Sequence, residues 1–377
     1  DYSGISNGIK VDITPPVTPQ LVDTGLWIKS EQIDFVSISS DPESGIVSLQ
    51  YTVGTVPGGS DILGIWQSVL TSSTTITLSS ILSNKLTYAT TYYVSVRTKT
   101  GTGLESELNS TDGIIYDNLA PSVTVPVSIS GTYLGQHQPL PVFVVGTTTM
   151  TWVWTPSQDL SGISGYKISI GLNPGTNDVL SDYPVSTTCY TLLNGQNNKT
   201  YYAKIKAVDG VGNASIDYNQ ALFGILVDTV SPNVPIVSKP NDGERKYLLT
   251  PNFSWSQSID AESGLDNYNI MISTVPDFSV VTVSSNVISQ NVTDMYLAYN
   301  KYWWRVRSKD KAGNYSDWAN VRSLIVNGNV NNLALASSTS TLKSTGFDAA
   351  IITAAIQDIS SNRVENIVCV VTFTVTG

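Results

Sequence analysis

Histidine occurs once in this sequence of 377 residues, at His137, and cysteine twice, at Cys189 and Cys369. A single imidazole leaves little material for histidine-based acid–base or metal chemistry. Two cysteines so far apart make neither a disulfide framework nor a cysteine-rich zinc site. Both are expected to be small buried hydrophobes. Charge is also scarce, at 13% of residues, about half the usual share. Thirty acidic residues outnumber twenty basic ones and give a net charge of −10, which argues against nucleic acid, where Lys and Arg must replace phosphate counterions. The longest apolar stretches, such as 367–375, fall far short of the roughly 20 residues that span a membrane. The first twelve residues show neither a basic n-region nor an apolar h-region, so the expectation is a mature or truncated piece.

His137 lies in the loop-like stretch Gly135-Gln136-His137-Gln138-Pro139. No HExxH, Gly-x-Ser-x-Gly elbow or P-loop accompanies it. No catalytic residue is therefore assigned, and the chain is expected not to be an enzyme. Serine and threonine are abundant, at 88 residues, and 41% of the chain is hydrophobic, too apolar for intrinsic disorder.

Three markers recur in fixed order. An apolar run ends in Asp, with Pro four residues later, at Asp12/Pro16, Asp117/Pro121 and Asp228/Pro232; a fourth run, Leu324-Ile325-Val326, ends in Asn327. An Asp-Ser-Gly turn appears at Asp41/Ser44/Gly45, Asp159/Ser161/Gly162 and Asp260/Ser263/Gly264, preceded by Phe35, Trp154 and Trp255. An alternating aromatic strand, Tyr92-Tyr93-Val94, Tyr201-Tyr202-Ala203 or Tyr302-Trp303-Trp304, runs into a hairpin: Asp209-Gly210-Val211-Gly212-Asn213 and Asp310-Lys311-Ala312-Gly313-Asn314, with a degenerate Thr100-Gly101-Thr102-Gly103 in the first repeat. Alternation of period two with regular turn signals predicts antiparallel β-sandwiches of about 100 residues each.

These residues resemble fibronectin type III-like modules of bacterial or archaeal surface and secreted proteins: the buried Trp154 and Trp255, the Tyr201 and Tyr302 strands, and the Asp-x-x-Gly-Asn hairpins. The resemblance covers about residues 13–328 and implies an all-β fold of tandem immunoglobulin-like sandwiches in an elongated array. The expected modules are 13–120, 121–231 and 232–328. Residues 1–12 read as the last strand of a preceding or swapped module. Residues 333–377, with Gly346-Phe347-Asp348 and Val371-Thr372-Phe373, resemble the first half of invasin- and intimin-type immunoglobulin-like repeats. A half-sandwich leaves strand edges open, so either the chain is a piece of a longer protein or neighbouring subunits complete it. In the latter case Ile9 and Val11 are donor-strand candidates. A short helix is an alternative to a strand over 349–356.

The acidic turns at Asp41/Glu43, Asp159 and Asp260/Glu262 leave calcium open as a cofactor. The Asx-turn reading is preferred, because Asp159 stands nearly alone. Trp303, Arg305 and Arg307 are expected on one strand face, stacked with Trp318, and Tyr93 and Tyr202 occupy the parallel positions of the other repeats. A structural ladder is the expected role there, with a sugar- or partner-binding platform as the alternative. The expected function is structural: an extracellular stalk, surface fibre or filament subunit that self-associates. The alternatives are an adhesin or carbohydrate-binding array with a cell-surface or glycan ligand, or an accessory region of a larger secreted enzyme. Neither nucleic-acid binding nor membrane insertion is expected of this segment.

Overall fold

The computed structural model describes residues 11–70, 73–122, 126–129, 131–135, 142–215, 219–220, 223–327, 332–337 and 352–357. His137, Ile9, Cys369 and the motifs at 346–348 and 371–373 lie outside them. The chain divides into two compact units: Asp1–Ile129, Thr151–Thr191 and Tyr201–Leu222 form one, and Ser130–Met150, Leu192–Thr200 and Phe223–Gly377 the other. Apart from a one-turn helix at Ser79–Leu82, the described elements are strands.

The third repeat shows how the pattern folds. Alternation along Asn300–Asp310 sends Tyr302, Trp304, Val306 and Ser308 inward, and Trp303, Arg305, Arg307 and Lys309 to the outer face. This strand pairs antiparallel with Leu265–Ser273 (Ile270 opposite Val306) and with Arg322–Val326 (Tyr302 opposite Leu324). Val281–Val287 extends the sheet at one side, and Glu244–Lys246 runs parallel to Arg322–Val326 at the other. A second sheet holds Val237–Lys239, Phe253–Trp255 and Asn291–Val292. The inward side chains of both sheets form one core around Trp304, Phe253, Tyr268 and Trp255. Phe253 meets Trp304 edge to face at 5.0 Å, and Trp255 meets Tyr268 at 5.4 Å, the offset geometry aromatic quadrupoles favour.

The first repeat is built alike. Gln20–Asp23, Asp34–Ile38 and Ser73–Thr77 form one sheet. Thr91–Thr100 pairs with Ile46–Gly54 and with Ile114–Tyr116, the last of which runs parallel to Trp27–Ile28. Its core closes around Phe35, Leu49, Tyr92 and Ile114. In the second repeat, Ile163–Gly171 pairs with Leu180–Val185 and Lys199–Asp209, while Val142–Val145 runs parallel to Gly224–Val227. Tyrosine hydroxyls tie the start of the aromatic strand to the chain just upstream: Thr87 N–H donates to Tyr92 Oη at 2.6 Å, and Tyr302 Oη donates to the Ala298 carbonyl at 3.0 Å. This tyrosine corner and the two-sheet layout are hallmarks of immunoglobulin-like sandwiches.

Farther along, Asn332–Ser337 pairs antiparallel with Ile352–Gln357; the segment for which a helix was the alternative contributes a strand. Cys189 corrects an expectation. It lies on the exposed side of Cys189–Leu192, where Tyr190 and Leu192 take the partly buried positions. Strand alternation places it outward despite its apolar character.

Candidate functional site

The Asp-Ser-Gly turn and the Asp-x-x-Gly-Asn hairpin meet in space through strand register. The residue after each turn glycine pairs with the first residue of the hairpin: Ile46 with Thr100, Ile163 with Asp209, and Leu265 with Asp310. A register shift follows at the same place in all three repeats; such a bulge re-aims the strand end. A backbone hydrogen bond fastens turn to hairpin, from Gly210 N–H to the Gly162 carbonyl at 2.9 Å and from Lys311 N–H to the Gly264 carbonyl at 3.0 Å.

Each aspartate first serves its own loop. Asp41 Oδ1 accepts the N–H groups of Glu43, Ser44 and Gly45. Asp260 Oδ1 accepts those of Ser263 and Gly264 at 2.9 and 2.8 Å, and Asp159 Oδ1 accepts Ser161 N–H at 2.9 Å. These are Asx-type turns, as preferred from sequence. In the hairpins, Asp209 Oδ1 accepts Val211 and Asn213 N–H, and Asp310 Oδ1 accepts Asn314 N–H at 2.8 Å. Gly264 and Gly313 hold φ of 80° and 100°, where a side chain would be strained.

The preceding repeat supplies a third carboxylate. Asp117 and Asp228 end its last strand, each held by a backbone bond, from Asp117 N–H to the Ile28 carbonyl and from Asp228 N–H to the Val145 carbonyl. The hairpin asparagine then clamps this strand end. Asn213 Nδ2 donates to the carbonyls of Asp117 and Leu119, both at 3.0 Å; Asn314 Nδ2 donates to those of Asp228 and Val230 at 2.9 and 3.3 Å. Two equivalent clusters result, Asp117/Asp159/Asp209 and Asp228/Asp260/Asp310, each with one oxygen per carboxylate within 4.8 Å of the others. Each lies inside a single compact unit.

The clusters correct the expectation that Asp159 stands nearly alone: its neighbours come from a hairpin and from the previous repeat. The signal was in the sequence, since the three aspartates are the three markers themselves. Glu262 is half-buried and belongs to neither cluster. Burial, with the nearby charge of Asp117 added, holds the Asp159 carboxyl above the ordinary carboxylate range; burial, with the charge of Asp228 added, does the same to Asp310.

The first repeat carries a variant cluster, Asp12/Asp41/Glu43. Thr100 stands at the hairpin position, with its hydroxyl accepting Leu104 N–H at 3.1 Å. Asp12 Oδ2 accepts hydroxyl hydrogen bonds from Ser44 and from Thr102, and these, the Ser44 bond foremost, hold the Asp12 carboxyl low.

The outer sheet face of the third repeat carries the aromatic–cation ladder. Arg305 lies over Phe278 at 4.1 Å and over Trp318 at 4.2 Å. Arg307 lies over Tyr315 at 3.9 Å and over Trp318 at 4.5 Å. Trp303 flanks it, with Lys301 over its ring at 4.9 Å. In the first repeat Arg97 lies over Trp66 at 4.7 Å. Tyr93 is half-buried, but Tyr202, placed outward by alternation, is buried, and so is Ser95. The loop after the preceding strand folds over this face: Gly58 N–H donates to Ser95 Oγ and Lys204 Nζ to the Gly175 carbonyl. Val11, the described donor-strand candidate, is 76% exposed.

No family model matches the chain. It is 30% identical to "Endoglucanase B" of Cellulomonas fimi over 187 residues, 48% of this chain and 17% of the relative. It is 27% identical to "Chitinase A1" of Niallia circulans over 184 residues, 48% of this chain and 24% of the relative. The chain thus spans less than a quarter of the length of these curated relatives. Among solved structures, it is similar to the fibronectin(III)-like modules of CbhA from Clostridium thermocellum, at 12% identity and a TM-score of 0.35, over 53% of this chain and 94% of that one. Two sheets closing on one core and a tyrosine corner at Tyr92 and at Tyr302 give the first and third repeats of this chain the layout of immunoglobulin-like β-sandwiches.

Proposed function

We propose that the chain is a non-enzymatic, extracellular spacer, a length of stalk or surface fibre built from coupled sandwiches that associates with further copies or with neighbouring modules. The carrying observation is the repeated joint: Asn213 and Asn314 each grip two carbonyls at the end of the preceding repeat. Such bonds hold successive modules in a fixed relation, which a spacer needs and a flexible tether does not. Electron microscopy of the native material tests this reading. A periodic polymer is the expected result; isolated single chains would overturn the fibre.

A second reading has its own support, because the matched relatives bear the names of an endoglucanase and a chitinase. In it the segment is an accessory array of a secreted glycoside hydrolase whose catalytic part lies in other sequence. Retention on cellulose or chitin beads, together with a monomeric mass in solution, would favour it over the fibre.

A further inference from the structure

We propose that the clusters Asp117/Asp159/Asp209 and Asp228/Asp260/Asp310 are calcium sites that lock each strand end to the turn and hairpin of the next repeat. Three carboxylates converging in a mostly buried place repel one another unless a cation or a proton joins them. Acidic convergence alone does not identify a cation, and a second observation does so here. Asp117 and Asp228 are fully buried, and in each the Oδ2 atom has no hydrogen-bond partner. Their Oδ1 atoms are occupied, by Leu119 N–H and Val230 N–H. Asp260 shows the same division, with Oδ1 in its turn and Oδ2 buried without a partner. A buried carboxylate oxygen left unbonded has lost its hydration without compensation, and a cation among the three groups removes that cost.

The dimensions and the chemistry select calcium. Calcium–oxygen distances of about 2.3–2.6 Å place opposite ligands up to roughly 5 Å apart. The cluster oxygens lie within 4.8 Å of one another. The donors are all hard oxygens, and among the described residues no histidine or cysteine joins them, which disfavours zinc. Magnesium keeps much of its water and demands a tight octahedron, whereas calcium accepts irregular carboxylate sets. In the variant cluster, hydroxyls of Ser44 and Thr102 bond Asp12 Oδ2, while Asp41 Oδ2 is buried without a partner.

The test is calorimetric titration of the chelator-stripped full chain with calcium chloride, paired with thermal unfolding in calcium and in EDTA. The expected result is saturable binding of about two ions and a melting temperature raised by about 5 °C or more by calcium. Asp117→Asn and Asp228→Asn should each remove one ion, while Glu262→Gln, outside both clusters, should remove none. Equal melting temperatures in calcium and EDTA would overturn the proposal, and this reading needs no variant to fold. So would full stoichiometry in both Asn variants, or magnesium matching calcium in the titration.

Discussion

At the residue scale, the outer face of the third repeat depends on one indole. Trp318 meets both Arg305, at 4.2 Å, and Arg307, at 4.5 Å, so one indole serves two like charges. Trp318→Ala should cost about 1–2 kcal/mol, two exposed-type cation–π contacts of roughly 0.5–1 kcal/mol each. Urea denaturation of the variant measures it, and a loss below a few tenths of a kcal/mol would show the stack to be incidental. This ladder was legible in the sequence because period-two alternation assigns faces and the aromatic and basic residues alternate with core residues. The equivalent row in the second repeat was not legible: Tyr202 has the same alternation, yet a loop bonded to Lys204 folds over that face. Alternation reports which side of a sheet a residue takes, not what covers that side.

At the element scale, the Asp-Ser-Gly turns were readable one at a time, and their bonds follow from Asp, Ser and Gly chemistry. Their company was not. The pairing of Ile163 with Asp209 and of Leu265 with Asp310 is long-range, and no local pattern states which loop will face which. The asparagine clamp makes this contact testable. Asn314→Ala removes the bonds to the Asp228 and Val230 carbonyls and the one to Asp310 Oδ2 at 2.9 Å. A destabilisation of about 1–3 kcal/mol is expected, the range for stranding buried polar groups. Hydrogen exchange should quicken at Val230, whose N–H is bonded to Asp228 Oδ1. Unchanged exchange there would mean that the clamp bears no load.

At the scale of the whole molecule, the first and third repeats each enclose a core of their own: every buried residue of one core lies between Ile28 and Tyr116, and every one of the other between Val237 and Val326. A fragment of residues 232–328 is therefore expected to fold alone with a single cooperative urea transition. A non-cooperative transition would show that the repeat leans on its neighbours. Tandem architecture was the most legible level of all, because three markers in constant order survive wherever the loops between them vary.

The bulged pairing of turn with hairpin underlies this constancy. From Asp12 to Asp117 is 105 residues, from Asp117 to Asp228 is 111, and from Asp228 to Asn327 is 99, yet the turn meets the hairpin at the same ladder position in each repeat. The ladder sets this meeting directly, so the number of residues in intervening loops such as 172–178 does not enter it. Lengthening or shortening those loops, by evolution or by cloning a guest peptide into one, leaves the joint between repeats intact. The chain is thus a scaffold whose insertions are decoupled from its seams.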